Sequence, residues 1–272
     1  MISIRYHNKK MTHIYKGKKK AKEKLRDLSV LTKSLIKKGK RPRLVSFLIG
    51  DSKEGLIYSA MKKNTAMKIG VVFDVVHLPN DAGKTRIIRE IKNLNNDDTV
   101  DGIMVQLPLP DSYSKKERRE IINSITKHKD VDGMREDSFF TAPVVKAVMI
   151  ALSDSAVGSK SLCTIVGGGF VGKKIVKALE KKGFNIVSVN TKTKDIKKKT
   201  KKADVLISAT GCAGLIEKDM VKQGAVVIDL GYPEPDVSKD VYKKASFITP
   251  VPEGIGPLTI ACLMENLVKP DH

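Results

Sequence analysis

The sequence predicts an α/β protein of two domains, each built on a parallel sheet. Two observations carry this. Short apolar runs of strand length alternate with stretches of helical periodicity along the chain, the rhythm of strands joined by helical crossovers. A glycine-rich segment, Gly167 to Gly172, stands after one such run and before a helical stretch. The 272 residues are enough for two cores of ordinary size.

Taken in order, apolar residues recur at helical spacing over residues 16–38 (Ala21, Leu25, Leu28, Leu31, Leu35), and Gly39 and Pro42 stop that helix. Residues 43–49 read as a strand ending at Gly50-Asp51-Ser52, 54–68 as a helix closed by Gly70, and 71–77 as the second strand. A helix over 84–94 leads to a short buried strand, 103–105, and 114–125 is another short helix. A second domain begins near Thr141-Ala-Pro143, with a linking helix over 144–153. Strands follow at 162–166, 185–189, 204–208, 225–230 and 247–249, and the helix after the glycines runs to Lys182. A proline-rich loop over 250–257 then leads into a closing helix over 258–268, with Pro257 at its first turn. The expected domains are 1–140 joined by the closing segment 257–272, and 141–256, a Rossmann-like domain, with a cleft between the two.

Hydrophobic residues make up 41% of the chain, no run of eighteen is apolar, and the first ten residues lack the apolar centre of a signal peptide, so a soluble cytoplasmic protein is expected. The net charge of +21 raises a nucleic-acid reading. The lysines, however, are scattered over several predicted helices (Lys18 to Lys20, Lys37-Lys38, Lys181-Lys182, Lys197 to Lys199), which fits a solvated surface like that of some heat-adapted proteins. Cys163, Cys212 and Cys262 are isolated and in apolar surroundings, so all three are expected in the core, without disulfides. His7, His13, His77, His128 and His272 show no metal-ligand spacing, and no metal is expected.

Three stretches carry chemistry in the first domain. In Asp101-Gly-Ile-Met-Val-Gln-Leu-Pro-Leu-Pro110, Gln106 follows a buried strand where two prolines end the ladder, so its amide either faces the crevice beyond the strand or caps a loop. Tyr58 and Lys62 are four residues apart on one helix face, with Lys63 about a quarter-turn away. If that face lines the crevice, a Lys in a partly dehydrated pocket beside other cations loses its proton readily and serves as a general base. The same spacing fits an amphipathic helix with a half-buried Tyr and a solvent Lys. In Lys129-Asp-Val-Asp-Gly133, Asp130 and Asp132 share a face if extended, and the pair fits a turn, a cation, or an amino-heterocycle held by Asp132.

In the second domain the glycines Gly167, Gly168 and Gly169 let the backbone approach a pyrophosphate at a helix N-terminus. The strand over 185–189 ends in Asn190-Thr-Lys-Thr193 rather than in a carboxylate, so Thr191 and Lys192 favour the 2′-phosphate of NADP, with Lys194 as a second cation. NAD is the alternative. The turns Ala209-Thr-Gly211 and Gly231-Tyr232 would face the same crevice as the glycine loop.

Together these stretches resemble the bifunctional methylenetetrahydrofolate dehydrogenase/cyclohydrolase family, from about residue 16 to 267. Four matches carry the resemblance: Tyr58-x-x-x-Lys62, Asp101 to Pro110, Lys129 to Gly133, and Thr249-Pro-Val-Pro-Glu-Gly-Ile-Gly-Pro-Leu-Thr259. It implies oxidation of 5,10-methylenetetrahydrofolate with NADP and hydrolysis of the methenyl product, in a folate cleft between two domains of a homodimer. It also implies that Lys62 is catalytic, that Tyr58 stacks on or bonds the folate, that Gln106 tunes Lys62, and that Asp132 binds the pterin amino group. Pro257 would touch substrate; Gly167 to Gly169, Thr191 and Tyr232 would touch NADP. The chain departs from the family in lacking the Arg and Ser of its usual glycine loop, which is one residue longer, and in carrying Gly55, Asn64 and Glu253 where Ser, Lys and Gly are usual. Rival readings are an NADP-dependent dehydrogenase of another small substrate, sharing only the fold, and a nucleic-acid-binding module.

Overall fold

The computed structural model describes residues 11–269. In chain order its elements are β1 (His13–Ile14), α1 (Gly17–Lys37), β2 (Arg43–Ile49), α2 (Lys53–Lys68), β3 (Val72–Leu78), α3 (Lys84–Asn95), β4 (Gly102–Val105), α4 (Lys115–Asn123), α5 (Pro143–Asp154), β5 (Leu162–Val166), α6 (Phe170–Lys181), β6 (Asn185–Val189), α7 (Ile196–Thr200), β7 (Val205–Ser208), β8 (Val226–Asp229), β9 (Phe247–Ile248) and α8 (Ile255–Val268). By its contacts the chain divides into two units: Lys19–Ala147 with the chain from Pro257, and the residues up to Lys18 with Val148–Gly256.

The unit of Lys19–Ala147 holds a three-stranded parallel sheet in the order β3-β2-β4. Alternation along β2 supplies both of its faces. Val45, Phe47 and Ile49 pack with Ile87 and Ile91 of α3 and Ile121 of α4. Leu44, pointing the other way, packs with Ala66 of α2, Leu28 of α1, and Leu263 and Leu267 of α8. A sheet covered on both faces needs nearly continuous apolar strands, which is how β2 and β4 read. Helix α2 starts where it does because Ser52 caps it, accepting a hydrogen bond from Gly55 N at 3.0 Å.

The other unit carries a six-stranded parallel sheet in the order β1-β9-β8-β7-β5-β6. Val166, Leu206, Val227 and Ile248 of four of its strands share one apolar cluster with Ile216 and Val237. Val166 pairs with Ser208, and Ser208 with Asp229, so β5, β7 and β8 end level with one another. The segments after them therefore leave the sheet side by side, as the parallel order requires.

Two elements escape the sequence reading. β1 spans two residues, too few to show a period, yet it pairs with β9 and puts His13 and Ile14 on the six-stranded sheet. α7 is lysine-rich with no apolar stripe to announce it. Cys163 and Cys262 are buried as expected, but Cys212 is exposed: it lies in the turn after β7, where its N–H donates to Thr210 Oγ1 at 3.1 Å. The apolar neighbours that suggested burial belong to the strand, which ends four residues earlier. Among the histidines, His13 stacks on Phe247 and His77 Nε2 lies 3.0 Å from Gly50 O, while His7, His272 and the first ten residues lie outside the described residues. Among the described residues no helix is long and apolar enough to cross a membrane.

Glu253 occupies a left-handed conformation, φ +81°, and its carboxylate meets Lys18 Nζ at 2.6 Å with both side chains largely in solvent. A non-glycine residue there costs about 1–2 kcal/mol, and an exposed ion pair offsets little of it. Glu253→Gly is expected to stabilise the protein by roughly 0.5–1 kcal/mol, after the extra chain entropy of glycine. A lower unfolding temperature for the variant would show that the Lys18 contact outweighs the backbone strain.

Candidate active site

Lys62 is buried at 4% exposure, on the face of α2 that packs against the sheet. Its Nζ donates to Gln106 Oε1 at 2.8 Å and lies 3.9 Å from Met104 Sδ, a weak acceptor. The ring of Tyr58, one turn earlier on α2, sits with its centroid 4.6 Å from Nζ. Burial lowers the pKa of Lys62 to about 8; the charge of Asp132 opposes that shift but is the smaller influence. The bland reading of Lys62 as a solvent lysine is therefore overturned, because α2 turns this position onto the sheet while Lys63 stays exposed. The mechanism of the shift also differs from the expected one: the charged neighbour is an anion, and desolvation alone does the lowering.

Gln106 reaches Lys62 because of its place in the chain. Its N–H extends the β4 ladder by donating to Phe47 O at 2.8 Å, and its side-chain Nε2 donates to Leu107 O at 2.8 Å. With the amide nitrogen committed to that carbonyl, the amide oxygen is left to face the amine.

Asp130 and Asp132 do not lie in an extended segment. Val131 N donates to Lys129 O and Gly133 N to Asp130 O, so this stretch is a tight turn. The two carboxylates have different tasks. Asp130 is fully buried and accepts from Met134 N at 3.0 Å and Arg135 N at 2.9 Å; burial nevertheless raises its pKa to about 6. Asp132, 7% exposed, acts on Lys62 through its charge. The turn is pinned from two sides: Asn266 Nδ2 of α8 donates to Val131 O at 2.8 Å, and Ile103 N of β4 donates to Lys129 O at 2.7 Å. Gly133, φ +61°, cannot be replaced freely, since a Cβ there would stand 2.6 Å from Ala142 N. Pro257, half-buried, lies in the first turn of α8.

In the other unit, the glycine loop fits a pyrophosphate. Gly167 has φ +131°, and a Cβ on it would come 2.3 Å from Ala209 O, so only glycine lets the chain leave β5 beside the turn after β7. Gly169 has open space around its Cα and is the N-cap of α6, so the free N–H groups of that helix begin beside it. Gly168 faces Asn190, the first residue after β6, and Thr191 and Lys192 follow with exposed side chains in a turn closed by Thr193 N donating to Asn190 O. Tyr232, 41% exposed, follows the end of β8. Thus the glycine loop, Thr191, Lys192 and Tyr232 all follow the carboxyl ends of strands of one parallel sheet. An open cavity of about 630 Å³ in this unit, lined by Glu217, Lys218, Asp219, Ser238, Asp240 and Lys244, contains none of them. Among the described residues no group of three or more His, Cys, Asp or Glu side chains is arranged to hold a metal ion.

Sequence reasoning missed Met104, whose sulfur faces Lys62, and the buried carboxylates Asp229 and Asp236. Met104 looked like any strand residue. An Asp closing an otherwise apolar strand, as in Val226-Val-Ile-Asp229, was a usable signal of a buried acid.

Comparison with known proteins agrees with this geometry. Residues 15–132 match the tetrahydrofolate dehydrogenase/cyclohydrolase catalytic domain, and residues 141–271 match the NAD(P)-binding domain of the same family. The chain is 33% identical to the bifunctional protein FolD of Listeria innocua, over 95% of this chain and 97% of that one. The crystal structure of the bifunctional methylenetetrahydrofolate dehydrogenase/cyclohydrolase FolD from Campylobacter jejuni superposes with a TM-score of 0.86 at 33% identity, covering 93% of this chain and 96% of that one. That of the Trypanosoma brucei enzyme, complexed with NADP and an inhibitor, gives 0.87 at 27% identity, covering 94% and 96%. With both of its halves matched by the family and a buried lysine held by Gln106 in the catalytic one, this chain belongs to the tetrahydrofolate dehydrogenase/cyclohydrolase family.

Proposed function

We infer that this protein oxidises 5,10-methylenetetrahydrofolate to 5,10-methenyltetrahydrofolate with NADP and hydrolyses the product to 10-formyltetrahydrofolate. The observation that carries the reading is the buried amine of Lys62, held by Gln106 and lowered in pKa to about 8, in a chain whose family performs these two reactions. The reading includes a homodimer in the cytoplasm, as the family resemblance implies.

The oxidation moves a hydride off the one-carbon bridge and leaves a methenyl cation shared by two nitrogens. NADP, when bound, supplies the hydride acceptor. The protein's part in this step is alignment of two ligands rather than proton transfer. In our reading Tyr58 and Pro257 hold the folate and Asp132 accepts from the pterin amino group, two acceptor oxygens meeting two N–H donors. Gly167, Gly168 and Gly169 take the pyrophosphate with the N-terminus of α6, Tyr232 contacts the nucleotide, and Thr191 and Lys192 meet its 2′-phosphate. No carboxylate occupies the turn directly after β6 to repel that phosphate, which supports NADP over NAD.

Hydrolysis adds water to the methenyl carbon. The water loses one proton as it adds, the hydroxyl so formed gives up its second as the bond from that carbon to the ring nitrogen breaks, and the freed nitrogen takes up one, so the formyl group forms with net release of one proton. Lys62 in its neutral form is the base that removes the water's proton, and Gln106 holds the amine by accepting one of its N–H bonds. Its lowered pKa keeps a usable fraction neutral near pH 7; an unperturbed lysine would be almost wholly charged.

Following methenyl absorbance after NADP is added to methylenetetrahydrofolate tests the reading directly. Lys62→Met is expected to reduce hydrolysis of the methenyl compound to the uncatalysed rate while NADP still binds; full hydrolysis above background would remove Lys62 from the mechanism. In the wild-type protein the enzymatic hydrolysis rate should climb with pH and level off above an inflection near 8, since below that value the amine is protonated. A rate flat from pH 6 to 9 would contradict a lysine base. Lys192→Asp should weaken NADP binding at least tenfold more than NAD binding, and equal losses for both would put the 2′-phosphate elsewhere.

A further inference from the structure

Asp229 and Asp236 are buried carboxylates that the chemistry above does not use. Asp229 ends β8, and its oxygens accept hydrogen bonds from the N–H groups of Gly231, Asp236 and Val237 at 2.8, 3.2 and 3.0 Å. These bonds fold the segment that carries Tyr232. Asp236, at the far end of that segment, sends Oδ2 back to the neighbouring strand, where it accepts from Ser208 Oγ and Thr210 N, both at 2.8 Å. Its Oδ1 is buried and accepts no hydrogen bond among the described residues. Ser208 closes β7 and pairs in register with Asp229, so a single side chain ties together the ends of two adjacent strands.

The turn tied in this way is the one the glycine loop leans on. A Cβ on Gly167 would stand 2.3 Å from Ala209 O, and Ala209 lies between Ser208 and Thr210, the two residues that Asp236 holds. The two backbones therefore run close enough that the position of the Ala209 carbonyl limits where Gly167 can sit. A chain of direct contacts thus runs from Gly167 through Ala209 and Thr210 to Asp236, Asp229 and the Tyr232 segment.

We propose that Asp236 is a positioning residue for the dinucleotide: its buried carboxylate clasps the turn after β7 to the loop after β8 and so fixes the backbone against which Gly167 to Gly169 stand. The proposal rests on the reading of this unit as the NADP-binding one. It also explains why a polar side chain is kept where an apolar one would pack at lower cost. A carboxylate accepts two hydrogen bonds on one oxygen and reaches across a strand spacing, which no apolar side chain does.

The test is calorimetric titration of NADP into the full chain, alongside hydrolysis of methenyltetrahydrofolate, which consumes only water and needs no nucleotide. Asp236→Ala should raise the NADP Kd at least tenfold and leave hydrolysis within twofold of wild type. Asp236→Asn, which keeps an oxygen for Ser208 and Thr210, should bind NADP within threefold of wild type. An unchanged Kd in the alanine variant overturns the clasp, as does an asparagine variant as weak as the alanine one. If the alanine variant also loses hydrolysis, Ser208→Ala decides, since it removes one bond only: a Kd raised about threefold with hydrolysis intact supports the clasp, and an unchanged Kd overturns it. Failure of the wild-type chain to bind NADP would sink the reading of the unit and the clasp with it, and is told apart because it appears before any substitution.

Discussion

The site depends on keeping one amine out of water. Lys62 gives up most of its hydration when α2 packs on the sheet, and in exchange it has one full-strength acceptor, Gln106 Oε1, and a thioether. Lowering its pKa from 10.5 to about 8 withholds roughly 3 kcal/mol of stability wherever the folded chain must carry the charge. The sign follows from proton counts. Between pH 8 and 10.5 the unfolded chain binds the proton and the folded one does not, so stability rises with pH across that window and is lost as pH falls through 8. Near neutrality the protein bears the full cost, and the return is a base that is neutral often enough to act.

That constraint explains the surrounding structure. An unanchored lysine would turn out to solvent, as Lys63 does on the same helix. Ala66 of α2 and Ile69 just after it pack into the cluster with Leu44 and Met104 and hold the helix down. The strand end then delivers Gln106, whose amide is oriented by the carbonyl of Leu107. Asp132 supplies enough negative charge to moderate the shift, and its turn is fixed by Asn266 and by Ile103 N.

Much of this was legible in the sequence. Strands β2, β5 and β6 have the limits that their apolar runs indicated, because Gly50, Gly167 and Asn190 end those runs sharply. The pairing of Tyr58 with Lys62 followed from helical spacing. What could not be read was which face of α2 is buried: its apolar residues do not form one stripe, and Leu56, Ile57 and Met61 are exposed while Ser59 and Lys62 are not. Spacing says which residues share a face, and only the packing of Leu44 and Ala66 says which face meets the sheet. Long-range features were equally hidden. β1 has no pattern of its own and exists because β9 offers an edge, and Asp236 reaches a partner 28 residues back in the chain. The even spread of lysines also took its meaning from the fold: Lys18 to Lys20, Lys37-Lys38, Lys181-Lys182 and Lys197 to Lys199 are all exposed, on or at the ends of three different helices.

Buried charge serves opposite ends in this chain, and the number of donors or acceptors supplied decides which. Asp229 is offered three backbone N–H groups and Asp130 two. Burial pushes both up, yet only to about 6, so near neutral pH they remain largely ionised and hold their loops. Lys62, equally removed from water, is offered a single amide oxygen and holds its proton far less tightly than a solvated lysine. Satisfying a buried ion fully makes a structural joint; satisfying it partly makes a group whose proton is loosely held. By that criterion a second acceptor placed against Nζ would improve the fit of the ammonium and spoil the base, which gives a physical reason for a methionine, with its poor acceptor sulfur, at position 104.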